Sequence, residues 1–425
     1  MTQLSMKDRR PSDPKAREDV EFIAGLVLIG VLCGGAVAFA TRLLDSHGSL
    51  SRGLWAGVGV VVAGLLLRAW RRWLARRGRL VTDRACPDLR QPSRGPRNHV
   101  ICLDGTWNAA DVPANVWKLF ERFPKDSDAQ IARYYPGVGT RELPGARSDF
   151  VKRHFRKKTF EGVTAYGARG ALGLLQRAYF DFVKDYRPGD RIYIFGFSRG
   201  AAAARALANY ICETYGLPAA VEIEYLKSHI QDDVVTGLTV VPAETASSKP
   251  KVAFLGLWDT VGAMGNPLDK REPFDLTIPP GVDKVVHLVA IDEQRRPFDV
   301  ALIDADDRVE EVWFPGAHGN VGGGLENCTL SDIALNFMIN RANEAGVSFR
   351  EGAPTLRYDL VGVSREALWD CGWPESLRMI RKVQIQGREA DGRPRIHKSA
   401  FILKDAGIDS GLSNIPEHYD RDDRD

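Results

Sequence analysis

From His99 onward, short apolar runs alternate with longer amphipathic stretches, and this alternation sets the expected fold. His99 to Leu103 (HVICL) reads as a strand and ends at Asp104-Gly105-Thr106, which is turn chemistry. Asn115 to Phe123 reads as a helix, Ile131 to Tyr135 as a strand, and Thr164 to Tyr186 as a long amphipathic helix. Pro188-Gly189-Asp190 then turns the chain into Arg191 to Phe197 (RIYIFGF), a β-branched and aromatic run. Further strands are expected at Val252 to Trp258, Lys284 to Ile291 and Glu311 to Phe314. Strands apolar on both faces and separated by helices imply an α/β domain with a mostly parallel sheet covered by helices. Residues 214 to 250 have the size and mixed character of a cap insertion, expected to be helical.

The N-terminal pattern is different. Phe22 to Ala40 contains no charged residue and is long enough to cross a bilayer as a helix. Gly53 to Leu67 is shorter, about 22 Å as a helix, and is extended by Arg68 and the Trp70 to Trp73 region through snorkelling and interfacial anchoring. A cleaved signal peptide fits less well, because twenty polar residues precede the first run and a second run follows closely. The expectation is a two-helix transmembrane hairpin over residues 21–79. It follows a basic tail (1–20) and precedes a Pro- and Arg-rich linker (80–97) and the α/β domain (98–425). Arginines and lysines flank the hairpin on both outer sides, so both termini are expected in the cytoplasm, at a bacterial inner membrane. Gly30 and Gly34 have the small-xxx-small spacing that lets helices or protomers pack closely, so a homo-oligomer is compatible with the sequence.

Composition narrows the class. With 44% hydrophobic and 27% charged residues the chain is globular in character, and a net charge of +3 gives no reason to expect a nucleic-acid partner. The six cysteines lie far apart without a C-x-x-C pair, which supports neither a zinc site nor a disulfide framework.

The stretch GFSRGAAAARALANYI, Gly196 to Ile211, carries the chemistry. A G-x-S-x-G match can arise by chance in a chain with 41 glycines, but here it leaves a predicted strand and opens a predicted helix. In that setting Ser198 is a candidate nucleophile, and the backbone N–H of Arg199 faces a developing oxyanion with the helix dipole behind it. The second donor of an oxyanion hole comes from a loop after an early strand, here Gly105 or Thr106 in DGTWN. The same LDGT resembles the D-x-D-G-T of haloacid-dehalogenase phosphatases, but Cys102 stands where their nucleophilic aspartate would be, and that reading fails.

A serine hydroxyl needs a base, and the base needs an orienting acid. Downstream histidines are His229, His287, His318, His397 and His418. His287 falls inside an apolar strand and reads as a core residue, and His229 falls in the insertion. His318 follows a strand among small residues, in FPGAHGNVGGG, and is the best candidate base. For the acid, Asp259 and Asp292 both stand at strand ends, with Asp259 preferred for the small residues beside it. Asp104 and Asn320 are candidates for supporting roles.

The runs LDGTWN, YYPGVGT, GFSRGAAAARALANYI, GLWDTVGA, VAIDEQRRPF and VWFPGAHGNVGGG, in this order, resemble a family of α/β-hydrolases that includes bacterial type VI secretion phospholipase effectors. The resemblance covers about His99 to Tyr419. It implies an α/β-hydrolase fold, hydrolysis of acyl esters with phospholipid as the substrate class, no cofactor, and a triad of Ser198, Asp259 and His318. The expected partner is membrane lipid, as anchor and as substrate. The alternatives are an esterase acting on a soluble ester and a silent hydrolase-fold scaffold that binds a partner. The chain departs from the pattern where family members read H-S-D-V-G-G-G: it has His318-Gly319-Asn320-Val321-Gly322-Gly323-Gly324, with an amide in place of the carboxylate. The basic run from Arg141 to Lys158 fits either a lid touching anionic lipid or a solvated loop.

Overall fold

The predicted strands form one sheet. In the computed structural model they are β2 (Asn98–Leu103), β3 (Gln130–Tyr135), β4 (Arg191–Phe197), β7 (Val252–Trp258), β8 (Val285–Ala290) and β9 (Val309–Phe314). β10 (Arg395–His397) and β11 (Asp420–Asp422) complete eight strands in the order β11-β10-β9-β8-β7-β4-β2-β3. Every ladder in this sheet is parallel. The structure describes residues 79–89, 95–106, 108, 113–137, 160–227, 234–243, 249–262, 274–304, 306–352, 356, 360, 381, 383, 393–408 and 418–424. They lie almost wholly in one of two compact units, which holds Leu80–Leu226 and Gln231–Asp425.

Alternation along each strand sends side chains to two cores. Ile101, Leu103, Ile192, Ile194, Leu255 and Leu257 face helices α2 (Phe160–Asp185) and α3 (Arg199–Asn209). Val100, Cys102, Tyr193, Phe195 and Phe254 face α1 (Asn115–Phe120) and α5 (Thr329–Glu344). A parallel sheet covered on both faces favours apolar residues on both sides of a strand, and that is why β2, β4, β7 and β8 read as near-continuous apolar runs. The alanines Ala201 to Ala204 are fully buried and let α3 lie close against the sheet.

Two readings are corrected. The insertion between residues 214 and 250 is built, among the described residues, from strands β5 (Ala220–Lys227) and β6 (Val234–Val241), not helices. They pair antiparallel and share a three-stranded sheet with β1 (Arg79–Ala85). Residues Val221 to Tyr225 alternate: Val221, Ile223 and Tyr225 are buried against the α2–α3 core, while Glu222 and Glu224 point outward. The second correction follows from the same sheet, because Arg79, where the expected hairpin ends, and residues 80–85, where the expected linker starts, form its first strand. Val81 packs on the core and Ala85 is buried within it. The expected transmembrane hairpin lies outside the described residues; among those described, no helix is long and apolar enough to cross a membrane.

The connections place the chemistry. After β2 the chain moves outward to β3, then returns to lay β4 on the other side of β2 and continues through β7, β8 and β9. β2 and β4 therefore flank the point where the winding reverses, and a crevice opens at such a point beyond the carboxyl ends of the strands. Asp104 follows β2, Ser198 follows β4, Asp259 follows β7, Asp292 follows β8, and His318 lies beyond β9.

Candidate active site

Ser198 sits at φ 58°, ψ −125°. Among the described residues it and Asp259 (φ 37°) are the only non-glycine residues with positive φ. Such conformations cost roughly 1–3 kcal/mol each and persist only where neighbours over-determine them. Here they do. Ser198 N–H donates to Trp258 O (3.0 Å), while Ser198 O accepts from Val261 N–H (3.2 Å) and Ala201 N–H (3.1 Å). Asp259 N–H donates to Leu288 O at 2.7 Å. Ser198 is thus braced by the strand that leads into Asp259, and Asp259 by the next strand, β8.

The spacing of glycines around Ser198 has a steric cause. A Cβ on Gly196 would lie 2.5 Å from Gly200 O, and one on Gly200 would lie 2.5 Å from Asp104 O. Strand β4, helix α3 and the end of β2 can meet only without those side chains. Gly322, in the GGG run, is pressed against the Phe197 ring and has no room for a Cβ.

His318 begins the short helix α4 (His318–Gly322). Its Nδ1 lies 2.7 Å from Asp259 Oδ2. The carboxylate can only accept, so Nδ1 carries the proton and Nε2 presents its lone pair. Phe197 packs on the imidazole at 4.5 Å between centroids, and Phe298 approaches edge-on at 4.9 Å. No hydrogen bond joins Ser198 Oγ to His318 among the described residues; contacts of this kind in hydrolases often tighten only when substrate is bound. Burial drives the His318 pKa below its ordinary value, against the pull of Asp259 and with the help of Arg295.

Asp259 is wholly buried and fully engaged. Oδ1 accepts Ala290 N–H (2.9 Å) and Arg381 Nη1–H (2.7 Å), leaving Oδ2 for His318. Burial alone would raise its pKa, but the Arg381 guanidinium, the His318 hydrogen bond and the Ala290 amide outweigh burial and hold it well below the usual carboxylate range. Asp292 does another job: its Oδ2 accepts Gly316 N–H at 2.5 Å and fixes the turn leading to His318. Glu293 adds a second brace, accepting His318 N–H (3.1 Å) while bound by Arg295 at 2.7–2.8 Å. Asn320 Oδ1 accepts Ala317 N–H (3.0 Å), so the amide supplies the acceptor that an aspartate would supply there.

The other described histidines are occupied elsewhere. His287, fully buried, takes Thr260 N–H on Nε2 and meets Glu311 with Nδ1 at 2.9 Å. His397 pairs Nδ1 with Ser399 and Nε2 with Arg424 O. His229 lies outside the described residues, and His418 is exposed.

On the nucleophile side, Gly105 lies against Ser198; a Cβ built on it would be 3.1 Å from Ser198 Cβ. Its N–H is taken by Asp104 Oδ1 at 2.7 Å. Asp104 Oδ2 accepts the Tyr134 hydroxyl at 2.7 Å, and the Tyr134 ring is held edge-on by Trp117 at 4.7 Å. Burial pushes the Asp104 carboxyl up to about 7, against those two hydrogen bonds and with no cation beside it among the described residues. The N–H groups of Thr106 and Arg199 donate to no described residue, and the Thr106 hydroxyl is buried without a partner. The half-buried Arg199 guanidinium likewise forms no hydrogen bond or ion pair with a described residue, and burial lowers its pKa.

Arg381 escaped sequence reading. It stands 122 residues beyond its partner Asp259, in a stretch without motif or period, and no local signal marks it. Glu293 and Arg295 fall within AIDEQRR, where their i, i+2 spacing was a usable hint.

The sequence profile of the family described as "T6SS, Phospholipase effector Tle1-like, catalytic domain" matches residues 97–234 and 239–341, more than half of the chain. Uncharacterized protein YEL023C of Saccharomyces cerevisiae is 30% identical over 236 residues, 51% of this chain and 34% of its own length. The crystal structure of an uncharacterized protein from Pseudomonas aeruginosa is similar at 19% identity and a TM-score of 0.39, over 62% of this chain and 48% of that one. The Tle1 effector bound to the VgrG spike of the type 6 secretion system is similar at 23% identity and a TM-score of 0.32, over 55% of this chain and 52% of that one. The chain spans about a third of the length of the yeast relative and about half of each of these two structures. The chain belongs to the Tle1-like family of type VI secretion phospholipase effector catalytic domains.

Proposed function

We propose that the protein is a membrane-anchored serine hydrolase that cleaves acyl esters of phospholipids. Ser198 Oγ attacks the acyl carbonyl as its proton passes to His318 Nε2, and Asp259 holds the imidazole in the tautomer that can accept it. The oxyanion is met by Arg199 N–H and by the Gly105-Thr106 loop, with Thr106 N–H as the donor left open there. His318 returns the proton to the leaving alcohol. A water molecule, deprotonated by the same base, then releases the acid and restores Ser198. The observation that carries this reading is the hydrogen bond from His318 to Asp259 at the sheet edge where Ser198 is held in its strained turn.

The substrate class rests on the family and on position. A hairpin over residues 21–79 with both ends in the cytoplasm would hold the domain at a bilayer, where the local concentration of lipid ester is high. The Arg199 guanidinium next to Ser198 in sequence, which pairs with no described residue, suits an anionic headgroup. A soluble ester is the second substrate that the same experiment distinguishes.

The test uses the full-length chain in detergent micelles, because removing residues up to 85 would delete β1 from its sheet. Treatment with a fluorophosphonate should give one adduct by intact mass, absent from Ser198→Ala. Mixed phospholipid vesicles should then release fatty acid and lysolipid. A folded protein that takes no adduct would remove the serine mechanism. Cleavage of small soluble esters with no lipid product would remove the phospholipid reading alone.

A further inference from the structure

The family match ends at residue 341, yet a side chain from residue 381 reaches the centre of the site. Arg381 is 2% exposed. Its Nη1 donates to Asp259 Oδ1 at 2.7 Å and to Ala290 O at 3.1 Å, and its Nη2 donates to Phe298 O. Val383, two residues on, is buried with Val289, Trp313 and Ile396, which fixes this stretch to the β8–β9 side of the sheet.

These contacts do two things. Arg381 and Ala290 N–H together saturate Oδ1, so the carboxylate cannot rotate without losing two hydrogen bonds, and Oδ2 stays aimed at His318. Arg381 also fixes the backbone of Phe298, whose ring walls the imidazole and lies under the Arg295 guanidinium at 3.8 Å. A single cation therefore ties the acid to the wall beside the base.

We propose that Arg381 is a positioning residue for the reaction, which fixes the Asp259 rotamer and tempers its charge, so that the chain beyond residue 341 belongs to the catalytic unit. This rests on the reading of Ser198, Asp259 and His318 as a triad. An aspartate bound only to histidine favours the imidazolium; one shared with a guanidinium favours it less. The charged groups acting on His318 are Asp259, Glu293 and Arg295, and Arg381 acts through the first of them. Its loss leaves Asp259 less compensated, and the pH below which His318 is protonated rises.

The experiment is the pH–rate profile of the full-length protein on p-nitrophenyl butyrate for wild type, Arg381→Gln and Arg381→Lys. The acid limb should move upward by about one pH unit in Arg381→Gln. The limiting rate should fall roughly 10-fold or more with little change in KM, in the manner of an interaction made in the transition state. Arg381→Lys should bring the limb back toward wild type. The position of the limb does not depend on how much protein is folded, so partial misfolding of a variant leaves the result readable. An unmoved limb in Arg381→Gln, whatever its rate, would overturn the proposal while the triad stands. A wild-type protein that neither hydrolyses the ester nor reacts with fluorophosphonate at Ser198 would overturn the triad reading and this proposal with it.

Discussion

The two halves of the site are built from different materials. The nucleophile half, at the ends of β2 and β4, is made of backbone: glycines at 196 and 200, a serine with φ 58°, and amides of Arg199 and Thr106 that donate to no described residue. Its buried carboxyl, Asp104, has no cation beside it among the described residues. The acid–base half, beyond β7, β8 and β9, is made of buried charge: Asp259 with Arg381, and Glu293 with Arg295, packed around His318. The difference follows from what each half must hold. A turn that exposes an oxygen to an incoming carbonyl is fixed by excluding side chains. A proton acceptor is fixed by choosing which charges surround it. The first half should therefore fail by size and the second by charge.

The sharpest way to break that division is Asp259→Asn, which preserves volume and removes the charge. The amide can present its N–H to His318 Nδ1 and reverse the tautomer, and the loss in turnover is expected on the order of 10⁴-fold. Stability should fall as well, since Arg381 is left as a buried cation without its counter-charge. Steady-state kinetics together with a urea titration would check both. On the other side, Gly200→Ala adds one methyl group 2.5 Å from Asp104 O. The chain must shift to admit it, costing about 1–3 kcal/mol. The resulting displacement of Ser198 should lower turnover about 100-fold without altering the shape of the pH profile. A Gly200→Ala protein with wild-type activity would show that the turn tolerates size and would end the comparison.

The same division decides what could be read from the sequence. The turn at Ser198 was legible because its requirements are contiguous: strand, glycine, serine, glycine and alanines follow one another along the chain. The central strands were legible because burial on both faces makes them mostly apolar, while polar residues blurred the starts of β3 at Gln130 and of β9 at Glu310. The choice between Asp259 and Asp292 was not settled by spacing, since both end parallel strands and only the fold shows which one touches His318. Arg381 was illegible, because a long-range ion pair leaves no trace near either partner. The β5–β6 hairpin was missed although it had a signal, the alternation from Val221 to Tyr225, which the apolar pairs Ala220-Val221 and Tyr225-Leu226 interrupt at either end.

A smaller effect tests the uncharged character of the nucleophile half. Asp104 has a folded-state pKa of about 7 against an ordinary 3.8. Between those values the folded protein binds more protons than the unfolded chain, so this group's contribution to stability falls as pH rises from about 4 to about 7 and is level above that. Asp104→Asn removes the titration. Relative to wild type the variant should gain with pH across this window, by at most ~4 kcal/mol and less after structural relaxation. Thermal melts at pH 5 and pH 8 measure it. A difference between the two proteins that does not change with pH would mean that Asp104 is charged throughout and that a cation reaches it.

The least disruptive change concerns Asn320, where the run HGNVGGG carries an amide in place of the aspartate of the H-S-D-V-G-G-G it resembles. Asn320→Asp keeps the oxygen that accepts Ala317 N–H, so the turn into α4 should survive and turnover should stay within about threefold of wild type, under ~1 kcal/mol. The new carboxylate would join Glu293 and Asp259 near His318 and favour the imidazolium. The acid limb should therefore rise, by less than about one unit, in the same direction as for Arg381→Gln but without its loss of limiting rate. A charge-built half predicts that pairing of signs: adding an anion and removing a cation move the base alike, and only the latter frees the acid to rotate. If Asn320→Asp lowered the limiting rate as severely as Arg381→Gln, position 320 would be holding His318 itself, and geometry rather than charge would govern this half as well.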